Sequence, residues 1–120
     1  MKQDYLQMRV LELAPEVYVS GQVFETDMKL AAGGGVRTIV NNRFDDETPG
    51  QPSSAALAKA ADEHGIEFVH FPVEPKAISD DQLDEYAKLC DGLKRPILVF
   101  SRTGARSTRL WEMMEAKQDQ

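Results

Sequence analysis

The segment that most constrains this chain is Pro96-Ile97-Leu98-Val99-Phe100-Ser101-Arg102-Thr103-Gly104-Ala105-Arg106-Ser107. Four consecutive apolar residues, Ile97–Phe100, read as a short strand buried on both faces. The six residues Ser101–Arg106, with one glycine among them, form a tight loop. A helical pattern then runs from Ser107 to about Lys117. Strand, compact loop and helix N-terminus together bring unpaired backbone N–H groups to one point, and the helix dipole adds positive potential there. Arg102 and Arg106 contribute permanent charge, and a guanidinium can grip a tetrahedral oxyanion through two N–H bonds. Ser101, Arg102, Thr103, Gly104, Ala105, Arg106 and Ser107 are therefore predicted to cradle a phosphate or a sulfur oxyanion. The expected partner is phosphate, sulfate or a phosphorylated substrate.

The rest of the chain alternates strands with helices. Met8–Leu13 and Val17–Gly21 read as strands joined by a turn at Ala14-Pro15-Glu16. A helix is expected from Glu25 or Thr26 to Ala32, ended by Gly33-Gly34-Gly35. Those glycines follow a helix, whereas a nucleotide-binding fingerprint needs them between a strand and a helix. Val36–Asn41 reads as a buried strand, leaving into the polar loop Asn42–Pro52. Ser53 or Ser54 caps an Ala-rich helix from Ala55 to about His64, stopped by Gly65. Ile66–Phe71 is the next strand, followed by the loop Val73–Ile78. Ser79 and Gln82 have capping-box spacing, and the helix Asp80–Asp91 places Leu83, Tyr86, Ala87 and Cys90 on one face. Residues Lys117–Gln120 are expected to fray.

This order predicts an α/β fold: one domain over residues 1–120, core about 8–117, with a central, mostly parallel sheet and helices on both faces. Ligands of such sheets bind beyond the carboxyl ends of the strands. Three predicted loops leave those ends: Asn42–Pro52, Val73–Ile78 and Ser101–Arg106. Composition limits the partners. With 20 acidic against 14 basic residues and a net charge of −6, the chain is not expected to bind nucleic acid or anionic membrane in general. No apolar run has the length of a membrane span, and no signal-peptide pattern opens the chain. A single Cys excludes an internal disulfide, and no His or Cys cluster has metal-ligand spacing, so no metal or cofactor is expected. A cytoplasmic location is expected.

The string Arg102-Thr103-Gly104-Ala105-Arg106-Ser107, with Trp111 beyond it, resembles the active-site loop of the beta-lactamase-hydrolase-like phosphatase family, which is related to cysteine-dependent phosphatases. Tyr18–Gln22, Thr38–Arg43 and Asp45 with Pro49–Ser53 are similar to further signatures of that family. Phe71-Pro72-Val73 resembles a segment it shares with dual-specificity phosphatases. The similarity extends from about Met8 to Trp111. It implies a phosphatase-like fold and a phosphomonoesterase scaffold. In that family a Cys opens the loop, whereas this chain has Ser101 there. Four residues separate Ser101 from Arg106, one fewer than in classical protein-tyrosine phosphatases. That shorter loop resembles the one in rhodanese sulfurtransferases, so sulfur transfer is the second enzymatic reading. A non-catalytic oxyanion-binding module is the third reading.

The resemblance assigns roles. The family Cys becomes a thiolate under the loop N–H groups and the dipole. The hydroxyl of Ser101, at the nucleophile position, is far too weak an acid to follow it without a base, and His70 is the candidate by strand position. Three explanations of Ser101 stand: an engineered Cys→Ser change, a natural binding protein without turnover, or a weak hydrolase of its own kind. Arg106 would hold the oxyanion, since a cation at the positive end of a helix is unfavourable unless an anion joins it. Arg102 is expected at the rim or in solvent, and Arg109 in solvent or paired with an acid. Ser107 would cap the helix or hydrogen-bond the leaving thiolate. Glu74 and Asp45 are the candidate general acids, with Asp46 and Glu47 beside Asp45. Cys90 is expected in the core.

Overall fold

The computed structural model describes residues 9–119. Among these residues five strands form one sheet: β1 (Leu11–Ala14), β2 (Val17–Ser20), β3 (Thr38–Asn41), β4 (Glu67–His70) and β5 (Ile97–Phe100), in the order β1-β2-β5-β3-β4. β1 and β2 pair antiparallel, and the other three pairings are parallel. Four α-helices accompany them: α1 (Met28–Gly33), α2 (Ser54–Glu63), α3 (Asp80–Asp91) and α4 (Ala105–Gln118). The mostly parallel sheet expected from the alternation is the one observed. β5 matches its apolar run, whereas β2, β3 and β4 are each a residue or two shorter than expected and β1 runs one residue further, to Ala14. Met8, the expected start of the first strand, lies outside the described residues, as does Gln120.

Period-two alternation sends side chains to two separate cores. Leu98 and Phe100 of β5 and Ile39 of β3 pack with Met28 and Ala31 of α1 and Leu57, Ala60 and Ala61 of α2. Ile97, Val99 and Val40 pack on the other face with Leu83, Tyr86 and Cys90 of α3 and Leu110, Trp111 and Met114 of α4. β5 is buried along its whole length because it is the middle strand with helices above and below. Burial raises the Cys90 thiol to about 11, with Tyr86 and Arg95 opposing the shift. Cys90 is a core residue, as its helix position predicts.

The helix caps follow the sequence closely. Ser53 is the N-cap of α2, its hydroxyl accepting from the Ala56 N–H at 3.1 Å. Ser79 and Gln82 form the reciprocal capping box of α3. The expected first helix is split: Glu25–Asp27 is a 3-10 turn that leads into α1. The expectation for the last helix is corrected at its start. The helix begins at Ala105, two residues before Ser107, and ends at Gln118, within a residue of its expected end. Near its end the Lys117 ammonium meets Asp84 at 2.6 Å.

Candidate oxyanion site

Ser101 leaves the central strand at the carboxyl edge of the sheet. The register sets Phe100 opposite Ser20 of β2 on one side and Asn41 of β3 on the other, so all three strands end level. The loop to α4 is therefore only Ser101–Gly104. Gly104 allows this brevity: it is the N-cap of α4 with φ 94°, a left-handed conformation that costs glycine nothing. A Cβ there would also sit 3.2 Å from the Ser20 carbonyl oxygen. The β2 exit holds the loop from the other side, with the Gln22 N–H donating to the Arg102 carbonyl at 3.2 Å.

The early helix start changes the position of Arg106. It is the second residue of α4 rather than part of a loop, so the helix fixes its direction. Its Nη1 donates to Glu47 Oε2 at 2.7 Å and to the Asn42 carbonyl at 3.1 Å, and lies 3.4 Å from the Val73 carbonyl oxygen. Its Nη2 donates to Glu47 Oε1 at 3.0 Å. The three loops expected to converge do so here, on one guanidinium. Glu47 takes Arg106 by its end-on edge. The Nε–H and the second Nη2–H have no partner among the described residues, and those two form the side-on fork suited to an oxyanion. The anion that joins Arg106 at the positive end of α4 is Glu47, where a bound oxyanion was expected.

Glu47 is the residue that sequence reasoning left behind Asp45. Its carboxylate also accepts from Arg43 Nε at 3.0 Å and from the Phe44 N–H at 2.8 Å. Burial works to raise its pKa, but the bonds from Arg106, Arg43 and Phe44 outweigh it and hold the carboxyl at about 2. Two guanidiniums share one carboxylate, which leaves the cluster a net cation. Arg43 is itself buried, held by Gln22 Oε1 at 2.6 Å and by Thr48 Oγ1 at 3.3 Å.

Ser101 and Ser107 sit beneath this cluster, and both are buried. The Ser107 N–H donates to Ser101 Oγ at 3.3 Å. The Ser107 hydroxyl donates to Asn42 Oδ1 at 2.6 Å, while Asn42 Nδ2 donates to the Phe71 carbonyl at 2.9 Å. Ser107 is thus neither the helix cap nor a hydroxyl donor to position 101, since its hydroxyl serves Asn42 and only its backbone N–H faces Ser101. The predicted Ser101–His70 pair does not form. His70 lies opposite Asn41 on the edge strand β4, two strands from β5, and its Nε2 is 2.6 Å from the Arg43 carbonyl oxygen.

A cavity of about 320 Å³ opens over the loop, lined by Pro75, Ser101, Arg102, Thr103, Ala105, Arg106 and Arg109. Neither candidate acid is on this lining. Asp45 accepts the Ser54 N–H at 2.9 Å, at the start of α2. Glu74 folds back onto the Lys76 N–H at 3.1 Å, although its neighbour Pro75 forms part of the cavity wall. Arg109 was expected in solvent or against an acid. It is exposed, borders the cavity and has no ion-pair partner among the described residues. Its spacing of three from Arg106 was the available signal. Among the described residues no three His, Cys, Asp or Glu side chains could hold a metal, and no helix is long and apolar enough to cross a membrane.

A five-stranded, mostly parallel sheet whose central strand feeds a short loop and a helix N-terminus defines a phosphatase-like α/β domain. Comparison with known proteins narrows this class. The chain belongs to the family described as beta-lactamase hydrolase-like protein, phosphatase-like domain, whose model matches residues 8–118. A beta-lactamase hydrolase-like protein of Xylella fastidiosa is 27% identical over 108 residues, covering 90% of this chain and 25% of that protein. The chain thus spans about a quarter of the length of the curated relatives it matches. A candidate phosphatase from Neisseria meningitidis, solved by crystallography, is 30% identical with a TM-score of 0.86, covering 94% of this chain and 80% of that one. A candidate phosphatase from Shewanella putrefaciens shares the fold at 17% identity and a TM-score of 0.81, covering 99% of this chain and 78% of that one.

Proposed function

We propose that this domain is a phosphatase-like oxyanion-binding scaffold that holds phosphate in the Ser101–Ser107 loop and turns it over weakly or not at all. The observation that carries this reading is the unpartnered Nε/Nη2 fork of Arg106, at the cavity that Ser101 also lines. The Arg106 N–H, without a partner among the described residues, adds a donor from the first turn of α4, where the Ala105 N–H is held by Thr103 Oγ1 and the Ser107 N–H by Ser101 Oγ. Ser101 limits the chemistry. Its Oγ receives the Ser107 N–H, and no side-chain base among the described residues is bonded to it, so no group is placed to take its proton.

A thiol at this position would be activated by the donors already present. In Ser101→Cys, thiolate attack on phosphorus would form a P–S bond and break the P–O bond. Arg106 and the loop N–H groups would hold the non-bridging oxygens, and the leaving oxygen would take a proton from an acid. Glu74 is the better candidate for that acid, because Asp45 is engaged at α2 while Glu74 adjoins the cavity wall. Glu74→Gln in the Cys background would then slow phenyl phosphate far more than para-nitrophenyl phosphate, whose leaving group needs no proton.

The test is para-nitrophenyl phosphate turnover by the chain, by Ser101→Cys and by Ser101→Cys/Arg106→Ala. The reading expects turnover only in the single Cys variant. No turnover in any of them, with the variants folded, refutes the phosphatase scaffold. The four-residue spacing from Ser101 to Arg106 and the lining without a carboxylate favour sulfur transfer as the alternative. Thiosulfate–cyanide activity of Ser101→Cys decides between the two.

A further inference from the structure

We infer that the substrate of this cavity carries a second anionic group, a phosphate or carboxylate, close to the group held by Arg106, and that Arg109 and Arg102 receive it. The inference rests on the oxyanion reading above and extends it to a substrate class. Three of the chain's 14 basic residues line one cavity, in a protein of net charge −6. Glu47 is shared between Arg106 and Arg43. Arg102 and Arg109 have no acidic partner among the described residues, and no carboxylate is on the cavity wall.

Like charges gathered without counterions repel, and an acidic surface offers many places to pair an arginine. Their arrangement around one cavity therefore points to a ligand that supplies the charge. Arg106 and Arg109 are three residues apart on α4, so their Cβ atoms stand about 5–6 Å apart on one face of the helix. An ester with two anionic groups a few ångströms apart spans that separation. One phosphate on the Arg106 fork leaves the other two guanidiniums unpaired, and the cavity of about 320 Å³ exceeds what a single phosphate fills. A neutral or cationic leaving group would meet an uncompensated positive rim. The predicted substrate is a small, soluble, doubly anionic phosphate ester. A lipid headgroup with two phosphates presents the same chemistry, and the experiment separates the two sources.

Isothermal titration calorimetry compares inorganic phosphate with methylenebisphosphonate, a doubly anionic ligand that is not hydrolysed. Wild type is expected to bind the bisphosphonate about tenfold more tightly, the value of one added charge-assisted contact. In Arg109→Gln the ratio of the two dissociation constants falls towards one, and Arg109→Lys retains most of it. Equal affinities in wild type overturn the second subsite while leaving the oxyanion reading intact. A ratio that survives Arg109→Gln overturns the assignment to Arg109. If neither ligand binds wild type, the oxyanion reading itself fails. Phosphatidylcholine vesicles doped with a phosphatidylinositol bisphosphate should not sediment the chain, and sedimentation contradicts a soluble substrate.

Discussion

Replacing Glu47 by Gln tests the network that fixes Arg106. The carboxylate accepts four hydrogen bonds, two from Arg106 and one each from Arg43 and Phe44. A pKa of about 2 instead of 4.5 corresponds to about 3 kcal/mol of preference for the ionised form in the fold. Glu47 is one-fifth exposed, so solvent screens part of that. Gln keeps one acceptor oxygen but turns an NH2 towards N–H donors, and leaves two guanidiniums without their anion. We expect a loss of about 2–3 kcal/mol, read as a lower urea midpoint at unchanged slope, with the melting temperature falling about 8–12 °C. The pH dependence gives an independent check. The group is depressed in the fold, so between about 2 and 4.5 the unfolded chain binds more protons. Its stabilisation is complete above the unfolded value and is lost as pH falls through that window. Glu47→Gln should flatten this acid limb. A change below about 0.5 kcal/mol, with the acid limb intact, would mean the cluster is an ordinary surface pair and would refute the reasoning.

Two further perturbations address the loop and the core. Gly104→Ala places a Cβ at φ 94° and 3.2 Å from the Ser20 carbonyl oxygen, and should cost about 1–2 kcal/mol and weaken phosphate binding. Full stability together with unchanged binding would show that the tight strand-to-helix turn is not what shapes the site. Cys90, buried and raised to about 11, should resist Ellman's reagent at neutral pH in the folded chain and react once urea unfolds it. Rapid reaction in native buffer contradicts its burial on the core face of α3.

The fold was legible in the sequence because short-range signals specified it. The run Ile97–Phe100 could satisfy its burial only in the middle of a covered sheet, and Ser53, Ser79 and Gln82 declared two helix starts. The lower half of the site was equally legible, since Ser101 to Ser107 are contiguous. Its upper half was not. Arg106 and Glu47 are 59 positions apart, and Asp45, Asp46 and Glu47 are chemically similar neighbours. Only the course of the Asn42–Pro52 loop decides that Glu47 turns inward to the arginines while Asp45 turns to the start of α2. His70 misled because strand position was read without sheet order, and β3 separates its strand from β5. The helix start moved to Ala105 because glycine torsion, which no spacing rule reports, closed the loop early.

The most direct measurement of the central claim is calorimetric titration of inorganic phosphate into the native chain and into Arg106→Ala. The account predicts one site per chain in the first and affinity reduced at least tenfold in the second, with the variant still folded by circular dichroism. Equal affinity in the two, or no binding to the native chain, would contradict it.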